Sequence, residues 1–454
     1  MDGNKYVGLP NVYGQPSMLL LDPEIIEQIL IKDFSHFQDR IGTRFDTKVN
    51  PLQENLFNLQ GQMWKTLRSK LSPTFTSGKL KWMFSQISSC TDILIEYLNE
   101  KANGEDFLIR DIISCYGFDI IASCAFGLDS QAQKNPDNEF RKKATKIFTP
   151  SIKTMMIQTL AFMFPNLIRK LGINIIDPEI SEFFCTLTKT TLKQRKESGL
   201  KRNDFLQLLL QLKEKGYVEY DADEASEVEK IDNIEKLEFT DEILAAQLFI
   251  FFIAGFEPVT SLIVFTLYAL SKELEVQSKI RDEVMKVKEK FGLLRYDSLK
   301  DMTYLESVMA ESLRLYPPAR LLIRTCSKTY TLKDGNQIEK DTVIMIPNYS
   351  LQRDPKYFPD PEAFKPERFA DGEQLSIRQG RGIYLPFGDG PRVCIARRFA
   401  LLEAKMALAK IVENFQINAS SKNIEPIQRD PKSFTINPIG GLWLKLEKIG
   451  QNTN

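Results

Sequence analysis

The sequence predicts a mainly α-helical fold with a minor β-sheet. Long segments with apolar residues at three- and four-residue spacing fill most of the chain, whereas strict alternation is confined to short runs near the start and after Pro318. Of the 454 residues, 43% are hydrophobic, which suffices for one large core. The length alone would suggest about three domains. No Gly/Ser linker, internal repeat or low-complexity tract marks a boundary, so residues 1–454 are expected to form a single domain.

In chain order, residues 5–7 and 18–21 alternate and read as strands. Helical periodicity covers 23–32, 61–71, 92–101, 179–198, 204–215, 241–271, 273–291 and 301–315. The acidic run 219–242 reads as a solvated loop leading into the longest apolar segment. That segment, 243–270, is long enough to span a bilayer, but Glu257 and Pro258 sit at its middle, where a charge in lipid is costly. It therefore reads as a helix buried inside the protein. Strands follow at 321–331 and 342–346. Pro355, Pro359, Pro361 and Pro366 exclude regular structure from 352–369, and buried irregular backbone needs side-chain partners. From Ala396 the sequence reads as a strong, mostly buried helix.

Sixty basic and sixty acidic residues balance, so no global field attracts nucleic acid, and any basic surface is local. The six cysteines, Cys90, Cys115, Cys124, Cys185, Cys326 and Cys394, form no CxxC pair and have no histidine neighbours, which argues against zinc and against a disulfide framework. A reducing cytosol is the expected environment. The single histidine, His36, lies in a turn-like stretch, so imidazole catalysis is not expected.

One cysteine has special surroundings. Phe387-Gly-Asp-Gly-Pro-Arg-Val-Cys394-Ile-Ala396 sets Cys394 between a glycine-rich turn and a helix N-terminus. Gly388 and Gly390 admit backbone conformations closed to other residues, and Pro391 fixes a bend. The remaining N–H groups can then point at the sulfur, the positive end of the helix dipole favours a thiolate, and Arg392 adds a cation. A nucleotide-binding loop is excluded because Val393 stands where a third glycine is needed.

This stretch resembles the haem-ligand loop of the cytochrome P-450 superfamily, the haem-thiolate monooxygenases. Every position of the pattern matches except its last glycine, which is Ala396 here. The likeness runs from about Tyr6 to Lys448. Asp33-Phe-Ser-His-Phe, Leu71-Ser-Pro-Thr-Phe-Thr-Ser-Gly-Lys79, Phe251-Phe-Ile-Ala-Gly-Phe-Glu257 and Gly440-Gly-Leu-Trp-Leu-Lys445 look like the insect microsomal family-6 type. Members of that type begin with a membrane helix and a proline hinge, so the chain is expected to be an N-terminally truncated form.

The resemblance implies a triangular helical prism holding haem b, with Cys394 as axial iron ligand and Phe387 beside it. Glu311 and Arg314, three apart on one helical face, would join Arg368 of the proline meander in a network bracing the ligand loop. Trp64 and Arg68, at i and i+4, would face the haem propionates together with Arg40, Arg324 and Arg392. Ala254, Gly255 and Glu257 resemble the oxygen-binding groove of the central helix. A threonine normally follows there, whereas this chain has Pro258, which is expected to bend the helix. Thr260 lies roughly 200° further round the helix. Glu257 with ordered water is then the candidate for proton delivery.

The implied reaction is insertion of one oxygen atom of O2 into an apolar small molecule. NADPH would serve only indirectly, through a separate NADPH-haemoprotein reductase, since no dinucleotide fingerprint is present. Alternatives are a reductase-independent haem-thiolate isomerase or dehydratase, and a non-catalytic haem-binding relic. The reductase is expected on a basic face of Lys65, Lys70, Lys79, Lys81, Arg397 and Arg398. The cytosolic face of the endoplasmic reticulum membrane is the expected location, with peripheral contact through the apolar stretch 155–168 beside Arg169 and Lys170. Loops 41–59 and 434–439 carry no readable substrate code.

Overall fold

The computed structural model describes residues 4–10, 16–40, 49–148, 150–219, 238–370, 381–428, 430 and 437–450. Fourteen α-helices pack with three small sheets among these residues. The run 220–237, residues 41–48 of the loop 41–59 and residues 434–436 of the loop 434–439 lie outside them.

Helix α1 (Pro23–Glu27) starts on Asp22, whose carboxylate accepts the N–H groups of Glu24 and Ile25, and continues as a π-helical turn, Gln28–Lys32. Helix α2 is Gly61–Leu71, as its periodicity predicts. Helix α3 spans Ser77–Lys101, fifteen residues more at its start than the expected 92–101. Its buried stripe of Leu80, Met83, Ile87, Cys90, Leu94 and Leu98 holds a spacing near 3.5 throughout, while the serines between them lie on the outer face and mask it in sequence. Helix α4 (Ile109–Ile121) was not anticipated, because apolar residues on nearly every face hide its period.

Helices α5 (Glu139–Thr145), α6 (Ile152–Met163) and α7 (Pro165–Lys170) precede α8 (Pro178–Ser198) and α9 (Phe205–Lys215). Asp204 caps α9 through the N–H of Gln207 and also takes a bidentate pair from buried Arg195 of α8. The central helix α10 (Asp241–Leu270) is capped by Thr240. It is long and apolar enough to cross a membrane, yet 67% of its most apolar window is buried inside the protein, as expected. It continues through Pro258 without a break. Helices α11 (Leu274–Phe291), α12 (Thr303–Leu315), α13 (Asn348–Leu351) and α14 (Arg397–Asn414) complete the set.

The largest sheet orders its strands β1 (Tyr6–Leu9), β2 (Ser17–Leu20), β7 (Val343–Ile346), β4 (Leu322–Thr325), with only β2–β7 parallel. The expected strand 321–331 is two pieces, since β5 (Tyr330–Thr331) pairs instead with β6 (Gln337–Ile338). A second sheet, β3 (Phe107–Leu108), β9 (Trp443–Lys448) and β8 (Phe415–Ala419), was not foreseen. The main core joins α3, α4, α8, α10, α12 and α14. A smaller core lies under the first sheet and reaches Leu385, two residues before the cysteine loop.

Candidate active site

The cysteine loop is closed by its own backbone. The N–H of Cys394 donates to the carbonyl of Phe387 at 2.9 Å, that of Val393 to Gly390 at 2.9 Å, and that of Gly388 to Leu385 at 3.1 Å. Gly390 has φ +66°, and a Cβ there would stand 2.0 Å from the carbonyl oxygen of Leu30, so only glycine lets the loop seat on the helical turn below. Ala396 has φ −97° and ψ 18°, a conformation open to any residue, so alanine adds no backbone strain at the start of α14.

Cys394 keeps accessible surface although protein encloses it, as a side chain bordering an internal space does. Ala254, in the middle of the largely buried α10, is likewise exposed. Burial pushes the Cys394 thiol up, opposed by the Ala396 N–H and by the charges of Arg68, Arg40 and Arg397. Only a bound metal ion would remove the proton outright.

Four arginines gather beside the loop. Arg392 lies 4.0 Å over the ring of buried Trp64 and donates to the carbonyls of Gln38 (2.9 Å), Leu56 (3.2 Å) and Leu59 (2.7 Å). Arg40 donates to the carbonyl of Arg392 at 3.1 Å. Buried Arg324 spends one N–H on the carbonyl of Ile323, and its Nε has no partner among the described residues. Burial and mutual repulsion depress the cluster: Arg40 falls to about 10, Arg324 to about 9 and Arg392 to about 8, with Arg68 adding to the repulsion on Arg40 and Arg392. Asp39, 3.7 Å from Arg392, is the only carboxylate seen to offset them among the described residues. Guanidinium groups do not deprotonate, so such a cluster calls for anions. A dianionic group with two carboxylates fits it, as haem with its propionates does.

Behind the loop, Glu311 and Arg314 are fully buried on α12 and form a two-bond pair at 2.7 and 2.8 Å. Arg314 also donates to the carbonyls of Gln352, Pro361 and Ala363 at 2.9, 2.7 and 3.1 Å. Glu311 accepts the N–H of Lys365 at 2.8 Å and Arg368 Nε at 3.3 Å. The proline meander thus has the side-chain partners its irregular backbone requires. Gln352 passes the connection on, donating to the carbonyls of Leu313 and Arg314 and accepting the N–H of Leu385.

On α10, Glu257 is buried and ion-paired with Arg110 of α4, a partner 147 residues away that no local pattern reveals. Thr260 is also buried, and its hydroxyl sits over Gly117 of α4, so it does not replace the threonine lost to Pro258. The expected basic face is corrected at Lys79, which is buried with its ammonium 3.6 Å over the ring of Trp82. Lys81 pairs with Asp297, and Lys70 turns to the carbonyl of Gly216. The apolar residues of α6 and α7 are outside rather than core: Ile152 is 79%, Met156 61% and Leu167 52% exposed, although Ile168 is buried. The side chain of Phe162 lies outside the described residues.

A helical body that sets one enclosed cysteine against an arginine cluster has the features of a haem-thiolate enzyme. The family model described as Cytochrome P450 matches residues 9–444, and the chain belongs to that family. It is similar to cytochrome P450 6a2 of Drosophila melanogaster, 35% identical over 442 residues, covering 96% of this chain and 85% of that protein. Cytochrome P450 6k1 of Blattella germanica is 37% identical over 444 residues, 96% of this chain and 84% of that protein. Cytochrome P450 9e2 of the same organism is 36% identical over 469 residues, 99% and 86%. Members of this family are monooxygenases that use haem with an axial cysteine thiolate.

Proposed function

We propose that the chain acts as a single catalytic domain that inserts one oxygen atom of O2 into an apolar small molecule, with Cys394 as the axial haem ligand. The enclosed Cys394 thiol, held by the Ala396 N–H beside an arginine cluster short of anions, carries this reading. Haem, when bound, supplies dioxygen activation, with the thiolate donating electron density toward O–O cleavage. Arg40, Arg68, Arg324 and Arg392 would hold the propionates, with Trp64 supporting Arg392 from below. Glu311, Arg314 and Arg368 fix the loop through Gln352. Ala254, exposed in the middle of α10, would leave room for dioxygen, and Gly255 lets α10 pack close to Ile121, whose side chain a Cβ there would meet at 2.6 Å. Glu257, kept in place by Arg110, is the carboxylate that passes protons through water.

A separate membrane-bound, NADPH-dependent reductase would supply the electrons, docking beside α2 and the start of α14 with Lys65 and exposed Arg398 at its contact. The exposed apolar side of α6 and α7, next to Arg169 and Lys170, rests on the endoplasmic reticulum membrane. Labelled dioxygen tests the reaction. With NADPH and reductase, one labelled atom is expected in the product of a lipophilic substrate. Product formed without NADPH and without label marks an isomerase or dehydratase, and absence of any turnover with hydroperoxide as well marks a non-catalytic haem protein.

A further inference from the structure

Glu403 stands in the middle of α14 with no accessible surface, and neither carboxyl oxygen has a hydrogen-bond partner among the described residues. The hydroxyl of Thr260, on α10, is buried and without a partner in the same way. Both face one point on α4. A methyl placed on Gly117 would lie 3.1 Å from Thr260 Oγ1 and 3.9 Å from Glu403 Oε1, with the Phe256 ring at 3.6 Å. Gly117 is not in the left-handed region, so what the packing uses is its missing side chain rather than its backbone freedom.

The groups around Glu403 are neutral. Cys90 comes from α3, Tyr116 from α4 and Cys124 from the π-helical turn after it. Burial pushes Cys90 up to about 12 and Tyr116 and Cys124 well above their usual ranges, and all three stand close enough to feel the charge that Glu403 would carry if it ionised. The Tyr116 hydroxyl is already engaged, 3.1 Å from Thr91 Oγ1 and 3.3 Å from the carbonyl oxygen of Glu403. Among the described residues no cation opposes the burial that pushes the Glu403 carboxyl well above the carboxylate range. An ionised carboxylate here would be an unpaired charge in apolar surroundings, far costlier than a neutral acid.

We propose that Glu403 and Thr260 hold a buried water over Gly117, with the carboxylic acid of Glu403 as a hydrogen-bond donor. A protonated carboxyl offers one O–H and acceptor oxygens, and a threonine hydroxyl offers both roles. The two together meet the minimum of two partners that a buried water needs. The site joins α4, α10 and α14, the last being the helix that follows the cysteine loop. Its consequence is proton-linked. Because the folded-state carboxyl titrates above the unfolded one, the folded state carries a proton that the unfolded chain has lost, and stability falls as pH rises between the two values.

Three measurements on the haem-loaded protein test this. The infrared spectrum at pH 7 should show a protonated carboxylic C=O band that E403Q lacks. Relative to E403Q, the unfolding equilibrium constant of the wild type in urea should rise by up to about tenfold per pH unit once the pH passes the ordinary Glu value of 4.5. A crystal structure should show an ordered water between Glu403 Oε1 and Thr260 Oγ1. Absence of the acid band, parallel pH profiles or a dry site overturns the proposal. Should E403Q fail to fold, G117A decides: filling the space should expel the water and shift the acid band, and an unmoved band refutes the site.

Discussion

Arg314→Ala removes the centre of the network behind the ligand loop. The change deletes a two-bond pair to fully buried Glu311 and leaves the carbonyls of Gln352, Pro361 and Ala363 without this donor. Glu311 would retain Arg368 at 3.3 Å and the N–H of Lys365, which offset only part of its buried charge. Breaking a buried pair from one side costs about 3–5 kcal/mol, and each abandoned carbonyl adds about 1 kcal/mol or more. That total is comparable with the whole stability of a typical domain. The variant should therefore fold poorly and retain little haem, measured as haem per milligram and as the urea midpoint of the soluble fraction. Arg314→Lys should be nearly as damaging, because a single ammonium cannot make both carboxylate bonds and reach three carbonyls. Arg368→Ala, with one longer bond to Glu311, should cost roughly 1–2 kcal/mol. Wild-type haem content and stability in Arg314→Ala would refute the bracing role.

Arg324→Gln relieves repulsion in the cluster but removes a cation offered to the propionates, so apo stability should hold while haem dissociates faster. Haem transfer to apomyoglobin measures this, and an unchanged rate would place Arg324 outside the haem contact. Ala396→Gly should alter stability by less than about 1 kcal/mol, read from thermal unfolding, since φ −97° suits both residues. Met156→Ser with Leu167→Ser removes exposed apolar surface and should abolish flotation with anionic vesicles while leaving folding intact. Equal flotation of both proteins would mean that the α6–α7 face does not touch the bilayer.

The parts of the fold readable in sequence were those with one clear period. The stripe of Gly61–Leu71 and the bare hydrophobicity of Asp241–Leu270 specify their helices locally. Helix α4 was missed because ten of its thirteen residues are buried and its polar side is limited to Arg110, Asp111 and Ser114 in the first turns, too little to set a phase. Strands β8 and β9 were missed because their pairing, Ile417 opposite Leu446, depends on a partner about thirty residues away. The ligand loop was legible because glycine, proline, arginine and cysteine each have a geometric reason at a fixed offset. The Arg110–Glu257 pair was not, since ion pairs between distant helices leave no local signal. Glu403 did leave one, a lone acid among Leu401, Leu402, Ala404, Met406 and Ala407, and its burial follows from that apolar surround. Lys79 misled because a lysine stem can be buried while its charge rests on an aromatic ring.

The most direct test of Cys394 as the iron ligand is the reduced, carbon-monoxide-bound spectrum of the wild type against Cys394→Ser. A serine oxygen is a poor ligand for this iron at neutral pH, so the wild type should give the thiolate-type Soret shift and the variant should lose it or release the haem. A thiolate-type shift retained in Cys394→Ser would contradict the account, because the sulfur would then have to come from another of the cysteines.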